Sequence, residues 1–187
     1  MLIRLSEHPD TPCPTVVYID VTIWRPTPDR LKLRYYVWGD IEIIAIPSAT
    51  GSHRRAEGLW KHTCFEAFIA SDDGGYYEIN LSPSGEWAAY RFDGYRSGMR
   101  SEDRLALVDM TCASDGDYLQ VDATIDMGGL PSAEFSGEVR LGLSAVVEVV
   151  DEEGRYVAYF ALAQPPGKPD FHHPDAFAGF LPPVEHP

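Results

Sequence analysis

The sequence predicts an all-β fold, an antiparallel β-sandwich of jelly-roll-like type with about ten strands. Short runs in which apolar and polar residues alternate recur from one end of the chain to the other. Clusters of Gly, Pro, Asn, Asp and Ser separate these runs and are typical of turns. No segment repeats its apolar residues at the period of an amphipathic helix. A sheet-on-sheet architecture follows, because each half-apolar strand must bury one face.

The first predicted strands lie close to the amino terminus. Residues 1–5 can form an edge strand, and residues 17–23 alternate as a half-buried strand does, ending before Pro26. Residues 31–37 form another strand. Residues 47–58 are rich in Ser, Gly and Arg, and we interpret them as a polar loop.

Three short runs rich in aromatic residues follow this loop, at residues 65–69, 77–81 and 88–92. The sequences between them, Asp-Asp-Gly-Gly at 72–75 and Ser-Pro-Ser-Gly at 82–85, are typical of hairpin turns. We therefore expect three strands that are connected by short turns.

Four more strands are predicted before the chain changes character, at residues 105–111, 118–125, 139–150 and 155–161. Residues 165–187 contain seven prolines. Because proline has no backbone N–H to donate, it is excluded from central strands. The carboxyl-terminal segment is therefore predicted to be irregular and Pro-rich.

Length and composition favour one domain over residues 1–187, because a chain of 187 residues with 44% hydrophobic residues can bury a single core. The 15 basic residues face 29 acidic ones, which gives a net charge of −14. This charge disfavours nucleic acid and anionic membranes as partners. The sequence contains neither a secretion signal nor an apolar membrane span, so we expect a cytoplasmic protein. Its three widely spaced cysteines indicate neither a disulfide framework nor a zinc site.

The three aromatic-rich runs also predict a polar face. If Phe65, Tyr77 and Ala88 point into the core, the residues between the inward positions point outward. An indole, two carboxylates, an amide and a guanidinium would then share one outer face, and this is the inventory of a sugar-binding surface. The alternative is an ordinary solvated face of a sandwich. The outward residues are Glu66, Glu78, Asn80, Trp87 and Arg91.

Three segments, LWKHTCFEAF at 59–68, YYEINLSPSGEWAAYRFDGYRSGM at 76–99 and AYFALAQPPGKPDFHHPDAF at 158–177, resemble a bacterial family of DOMON-like domains. These domains are similar in fold to the family 9 carbohydrate-binding modules. The resemblance covers most of the chain and keeps the order of the segments. It implies a β-sandwich that binds a sugar or haem in a pocket at one face.

The resemblance also implies roles for individual residues. In the sugar-binding modules a tryptophan lies six residues before a glutamate, and both contact the ligand; Trp60 and Glu66 have this spacing. An arginine from a later strand matches Arg91, and Trp87 is a second aromatic candidate. The second wall of the sugar site is an aromatic residue near the carboxyl end. Here this sequence departs from the pattern, because it offers Phe171 or Phe177 where the modules have tryptophan.

Each candidate also has a structural interpretation. Trp60 either stacks on a ligand or packs beneath the preceding loop. Glu66 needs a ligand or a basic partner, for which Lys61, Arg91 and Arg96 are available. Glu78 can belong to a solvated edge, whereas Asn80 needs a local reason to stand in a strand.

The carboxyl-terminal histidines raise the question of a metal. His172 and His173 are adjacent and lie near Asp170, but adjacent histidines rarely bind one ion together, and no HxH or HxxxH spacing is present. We therefore expect no metal, and we expect the segment 171–173 to complete the ligand site. Haem would need a methionine and histidine pair at positions that this sequence does not match, so we expect no cofactor.

The sequence thus predicts a non-catalytic domain that binds a small molecule, with a saccharide or a sugar-derived metabolite as the best fit. The predicted ligand-binding residues are Trp60, Glu66, Glu78, Asn80, Trp87, Arg91, Phe171, His172 and His173. Three alternatives stay open. They are a protein-interaction module that uses the Pro-rich tail or a strand edge, a haem-binding DOMON domain, and a glycoside-acting enzyme that uses Glu66 and Glu78.

Overall fold

A computed structural model of the chain describes residues 1–135, 137–152 and 154–184. The described residues form twelve strands and three short 3-10 helices, which confirms the all-β prediction. The 3-10 helices span Leu59–Lys61, Ser132–Phe135 and Pro174–Ala176. The strands are β1 (Leu2–Glu7), β2 (Val16–Thr27), β3 (Arg30–Gly39), β4 (Cys64–Ala70), β5 (Tyr76–Leu81), β6 (Trp87–Phe92), β7 (Arg100–Ser101), β8 (Ala106–Asp115), β9 (Tyr118–Asp126), β10 (Arg140–Asp151), β11 (Gly154–Ala161) and β12 (Gly179–Phe180).

The strands pair antiparallel in two sheets that pack face to face. Sheet A has the order β1-β2-β3-β9-β8, and sheet B has the order β7-β6-β5-β4-β10-β11, with β12 paired to β10. Strand β1 pairs with β2 through residues 2–5 and with β11 through residues 6–7. The two sheets are therefore continuous through β1, and together they curl into a half-barrel.

The main core lies between the two sheets. On sheet A the alternation is regular, so that Ile19, Leu33 and Val121 point inward and are fully buried. They pack in the same cluster as Phe65 of β4 and Ile79 of β5. Because these strands bury only alternate residues, their inward positions are readable from the period-2 pattern of the sequence.

The central strands of sheet B are buried on both faces. Every residue of β5 and β6 is buried, and a second apolar cluster covers the outer face. This outer cluster contains Phe68 and Phe92 from the sheet, together with Phe171 and Phe177 from the carboxyl-terminal segment, residues 162–184. The segment is irregular, as predicted, apart from a single 3-10 turn and the short strand β12.

Specific bonds hold the carboxyl-terminal segment on sheet B. Arg140 Nε donates to the carbonyl of Phe177 at 2.8 Å, and β12 adds backbone pairing to β10. Gln164 Nε2 donates to the carbonyl of Ser6 at 2.8 Å. His173 is the N-cap of the 3-10 helix Pro174–Ala176, where its Nδ1 accepts from the Asp175 N–H. The segment is therefore an integral layer of the structure.

The predicted orientation of the third aromatic-rich run is wrong. Strand β6 pairs with β5 in the register Leu81–Trp87, Ile79–Ala89 and Tyr77–Arg91. Residues opposite each other in a sheet share a face, so Trp87 and Arg91 lie on the main-core side. The outer face instead carries Ala88, Tyr90 and Phe92.

The turn explains this register. The Ser82 N–H donates to the carbonyl of Glu86, which leaves a three-residue turn that ends at Gly85 with a φ of 91°. A register that differs by one residue turns every side chain to the other face. Both faces of β6 are buried, so its apolar residues do not reveal which of the two registers forms. The sequence pattern therefore could not fix the orientation.

Of the expectations about membrane spans, the number of domains and the location, the structure tests only the first. No helix in the described part of the chain has the length and apolarity needed to cross a membrane. The assignment of residues 1–187 to one domain stays a prediction, as does the cytoplasmic location.

Candidate functional site

A pocket of about 540 Å³ lies between the outer face of sheet B and the carboxyl-terminal segment. Sheet B supplies its floor, and the loop after β6 and the segment 168–172 supply its walls. The pocket is thus formed where the carboxyl-terminal segment does not fully cover sheet B. Its lining residues are Trp60, Glu66, Glu78, Phe92, Arg96, Met99, Val146, Tyr159, Lys168, Pro169, Phe171 and His172.

Two buried carboxylates form the polar part of the floor. Glu66 of β4 pairs with Asn80 of β5, and Phe68 pairs with Glu78, so both glutamates lie on the outer face at neighbouring positions. Asn80 Nδ2 donates to Glu78 Oε1 at 2.7 Å, and Ser144 Oγ donates to Glu66 Oε2 at 3.2 Å. These bonds fix both carboxylates from behind the pocket.

Three buried polar atoms around this floor have no hydrogen-bond partner in the described structure. They are Glu78 Oε2, Asn80 Oδ1 and the hydroxyl of Tyr90, which lies opposite Glu78 on β6. A buried polar atom that lacks a partner costs about 1–3 kcal/mol, so native structures rarely leave one unsatisfied. An unsatisfied group that lines a pocket indicates a place for a ligand.

Burial also alters the acidity of the two carboxyl groups. Desolvation raises the pKa of Glu78 to about 7, although the Asn80 hydrogen bond and the charge of Arg96 oppose this shift. Desolvation and, secondly, the neighbouring charge of Glu78 raise the pKa of Glu66 well above its ordinary value. At neutral pH the pair therefore retains protons that exposed glutamates would have lost.

His172 contributes a neutral imidazole to the wall. Burial and, secondly, the charge of Arg96 lower its pKa to about 4. The Arg96 backbone N–H donates to the Tyr76 hydroxyl at 3.3 Å, and this hydroxyl lies 2.7 Å from His172 Nδ1. Because Nδ1 is occupied by this contact, Nε2 is the ring nitrogen that faces Glu78. Nε2 lies 3.9 Å from Glu78 Oε2, beyond direct hydrogen-bonding distance.

Trp60 stands at the rim of the pocket. It lies in the 3-10 helix Leu59–Lys61, which begins after Gly58 in the left-handed conformation, and the buried side chain of Leu59 anchors this turn. The indole meets the ring of Tyr90 edge to face, with 5.8 Å between the centroids. The side chain of Trp60 is 38% exposed. The open part of the ring is therefore available for stacking.

An ion pair closes the opposite wall. Arg96 Nη2 donates to Asp170 Oδ1 at 2.8 Å, and the Tyr95 hydroxyl donates to Asp170 Oδ2 at 2.5 Å. These bonds join the loop after β6 to the carboxyl-terminal segment. Next to them, Phe171 meets Tyr159 edge to face, with 5.9 Å between the ring centroids. The wall is thus fixed by contacts between residues distant in sequence.

The structure brings most of the predicted residues together, but not all. Trp60, Glu66, Glu78, Phe171 and His172 line the pocket. Asn80 lies directly behind it as the hydrogen-bond partner of Glu78. His173 caps the following helix, 6.2 Å from the ring of Tyr95, and Phe177 packs on Phe68 deeper in the outer cluster.

Trp87 and Arg91 lie elsewhere. The guanidinium of Arg55 lies 4.2 Å above the ring of Trp87, and Arg91 Nη2 forms an ion pair with Asp73 at 2.5 Å. The expectation that they share a face with Glu66 is wrong, because β6 has the opposite register. The predicted ion pair of Glu66 with Lys61, Arg91 or Arg96 is also absent from the described residues.

Several residues of the site were not predicted from the sequence. Tyr90 belongs to the run 88–92, whose predicted orientation is wrong, and Ser144 lies on a strand whose two faces are both apolar. Met99, Val146, Tyr159 and Lys168 carry no motif in the sequence and reach the pocket only through the three-dimensional arrangement. In the described part of the chain, no three His, Cys, Asp or Glu residues come together in a way that could hold a metal ion.

The fold is similar to that of a solved protein from Bacteroides uniformis ATCC 8492 that is described as a "putative carbohydrate-binding protein". The two chains are 14% identical, the similarity covers 96% of this chain and 84% of the other, and the TM-score is 0.59. No protein-family model and no curated protein matches the sequence. At this level of identity the structural similarity shows a shared fold.

Proposed function

We propose that the chain is a non-catalytic saccharide-binding protein and that the pocket on sheet B holds the sugar. One observation carries this proposal. The unsatisfied oxygen of the buried Glu78 lines a pocket whose rim presents a partly exposed tryptophan. A sugar needs both elements, because its hydroxyl groups donate to carboxylates while its apolar ring face stacks on an indole.

The size and lining of the pocket support the proposal. A volume of about 540 Å³ lies within the range of small-molecule sites. Phe92 and Phe171 offer further apolar surface, and His172 offers a ring nitrogen close to Glu78. The sugar-binding description of the Bacteroides protein with the same fold agrees with this proposal, as does the resemblance to DOMON-like domains.

The surroundings of the two carboxylates favour binding over glycoside hydrolysis. A glycosidase pair needs one protonated acid and one carboxylate that stays ionised. Here the pKa values of Glu66 and Glu78 are both raised, and burial is the first cause in each case. Among the described residues each carboxylate accepts a hydrogen bond from a neutral donor, and no cation is bound that would hold one of them ionised as a nucleophile or base.

The proposal is tested by replacing Trp60 and comparing the variant with a matched control. The control is Trp38→Ala, since Trp38 is 37% exposed but lies on the outer face of sheet A. We expect Trp60→Ala to lose about tenfold or more in affinity for the sugar that binds best, since it removes the stacking surface. Trp38→Ala should bind as the wild type does.

Isothermal titration calorimetry with a panel of monosaccharides and oligosaccharides measures the affinity, and thermal unfolding measures the stability of each variant. Both tryptophans are partly exposed, so neither variant should lose the roughly 3–5 kcal/mol of a core tryptophan. If the wild type binds no saccharide in the panel, or if both variants bind equally well, the proposal is wrong.

A further inference from the structure

The buried carboxylates of this protein differ in whether they have a cationic partner. Among the described residues four glutamates are at least nine-tenths buried, namely Glu66, Glu78, Glu102 and Glu148. Glu102 forms an ion pair with Arg104 at 2.7 Å, and Glu148 forms one with Arg155 and has His62 at 3.0 Å. A buried carboxylate is normally found with such a partner, because an isolated buried charge is very unfavourable.

Among the residues that the structure describes, Glu66 and Glu78 have no such partner. The hydrogen bonds to their carboxylates come from the hydroxyl of Ser144 and the amide of Asn80, which are neutral groups. The nearest basic side chain within 4 Å of Glu78 is His172, and its Tyr76 partner and its burial keep it neutral. The two carboxylates that lack a cation are thus the two that line the pocket.

The other basic residues of the pocket wall do not fill this role. Arg96 is bound to Asp170, with two of its nitrogens within 3.2 Å of Asp170 Oδ1. Lys168 is exposed and forms no ion pair with either glutamate. Both lie on the wall, and among the described residues no cationic group forms an ion pair with either carboxyl group of the floor.

We propose that the ligand brings the missing cation, so that the pocket selects a saccharide carrying a protonated amine, an amino sugar. This inference rests on the proposed saccharide-binding function and narrows its ligand class. The ammonium group ion-pairs with Glu78 Oε2 and lies next to Glu66, in the position that arginine occupies beside Glu102 and Glu148.

The chemistry of the floor fits an ammonium group better than a hydroxyl group. An ammonium group has three N–H donors, and the unpartnered Glu78 Oε2 is an acceptor that a charge-assisted hydrogen bond satisfies best. The aromatic faces of Trp60, Phe92 and Phe171 along the same pocket also attract a cation. A bound cation also favours the ionised form of Glu78, whose raised pKa lies near neutral pH, whereas a neutral sugar satisfies the acceptor without this gain.

The test compares three sugars that differ only at one carbon: glucose, glucosamine in its ammonium form, and N-acetylglucosamine, which keeps the nitrogen but loses the charge. Benzylamine serves as a cation that is not a sugar. Calorimetric titration of the wild-type protein should give at least tenfold tighter binding of glucosamine than of either neutral sugar. This comparison needs no variant, so it does not depend on how a mutant folds.

Two variants then test which buried carboxylate causes the preference for glucosamine. Glu78→Gln should lose the preference for glucosamine over glucose by tenfold or more, because the amide keeps the shape and removes the charge. Glu102→Gln removes an equally buried carboxylate outside the pocket and should keep the preference. Thermal unfolding of both variants verifies that they are folded.

The outcomes separate this inference from the proposed function. If glucose binds as tightly as glucosamine, or if Glu78→Gln keeps the preference, the amino-sugar inference is wrong and the saccharide proposal stands. If benzylamine binds and no sugar does, the pocket takes cations but the saccharide proposal is wrong. If nothing binds, both are wrong.

Discussion

The outer faces of the two sheets differ in their contact with water: that of sheet A is solvated, and that of sheet B is largely buried. On sheet A the outward side chains stay in contact with water and form cross-strand ion pairs, such as Arg34 with Asp122 at 2.6 Å. On sheet B the outward side chains are buried under the carboxyl-terminal segment and form a second core. The two faces belong to one continuous sheet, so the difference in burial arises because the carboxyl-terminal segment lies on the outer face of sheet B.

This difference explains where a pocket can form. A solvated face satisfies its charges with water and with exposed ion pairs, each worth at most about 1 kcal/mol. A covered face removes water, so that a gap in the cover leaves carboxylates such as Glu78 in an environment of low polarity. The pocket and its unusual carboxylates are both consequences of the irregular segment that lies on sheet B.

The largest expected effect comes from weakening this cover. Phe177 is 6% exposed and packs edge to face on Phe68 and Tyr76, whereas Phe180 of the same segment is 50% exposed. Phe177→Ala should lower the free energy of unfolding by about 3–5 kcal/mol, because it leaves a cavity in the second core. Phe180→Ala should change it by less than about 0.5 kcal/mol. Chemical denaturation of both variants measures the difference; equal losses would mean that the segment is not a structural layer.

The next effect concerns Glu78 and the dependence of stability on pH. Burial raises the pKa of Glu78 from 4.5 to about 7 in the folded state. Between these values the folded protein holds a proton that the unfolded chain has released, so stability falls as the pH rises through this window. The total loss is on the order of 3 kcal/mol. Glu78→Gln should remove most of this fall, so the variant gains relative to the wild type between pH 5 and about 8.

Other groups near Glu78 titrate as well, which is why the difference between the two proteins is the quantity to measure. Glu66, Tyr90, Arg96 and His172 face it from the neighbouring strands and loops. The lowered pKa of His172 acts in the opposite direction and is common to both proteins. Urea denaturation at a series of pH values gives the two curves. If the free energies of unfolding of the wild type and of Glu78→Gln changed with pH in the same way, the raised pKa of Glu78 would be contradicted.

The smallest effect is expected on sheet A. The Arg34 side chain is about half exposed, and its ion pair with Asp122 lies on the solvated face. Arg34→Ala should therefore lower the free energy of unfolding by no more than about 1 kcal/mol, and less at high salt, where the exposed charges are screened. Denaturation at low and high salt measures both points. A loss of free energy of unfolding as large as that expected for Phe177→Ala would contradict the difference in burial between the two outer faces.

The same contrast decides how much of the structure could be predicted from the sequence. The strands of sheet A alternate clearly, so their positions and their inward residues followed from the pattern. The outward orientation of Glu66, Glu78 and Asn80 also followed, because polar residues in apolar runs mark a face. For β6 this failed, since apolar residues occupy both of its faces and the register depends on the turn at Ser82–Glu86.

The remaining parts of the site depend on contacts that no local pattern encodes. The carboxyl-terminal segment has no periodicity, so its place on sheet B could not be predicted from its prolines. Trp60 and Glu66, chosen for their spacing, line the pocket, as do Phe171 and His172, which came from the resemblance and the clustering of their residue types. That no cation among the described residues pairs with Glu66 or Glu78 becomes visible only in the three-dimensional structure.

The burial of sheet B under the carboxyl-terminal segment also has a consequence for the synthesis of the protein on the ribosome. The strands β4, β5 and β6 are synthesised well before Phe171 and Phe177. Until those residues emerge, the nascent chain presents Phe68, Tyr76 and Phe92 on a bare apolar surface, which is the kind of surface that chaperones hold and that drives misassembly. The carboxyl-terminal segment completes this face and the pocket together, so a chain that has formed the pocket no longer exposes this apolar surface.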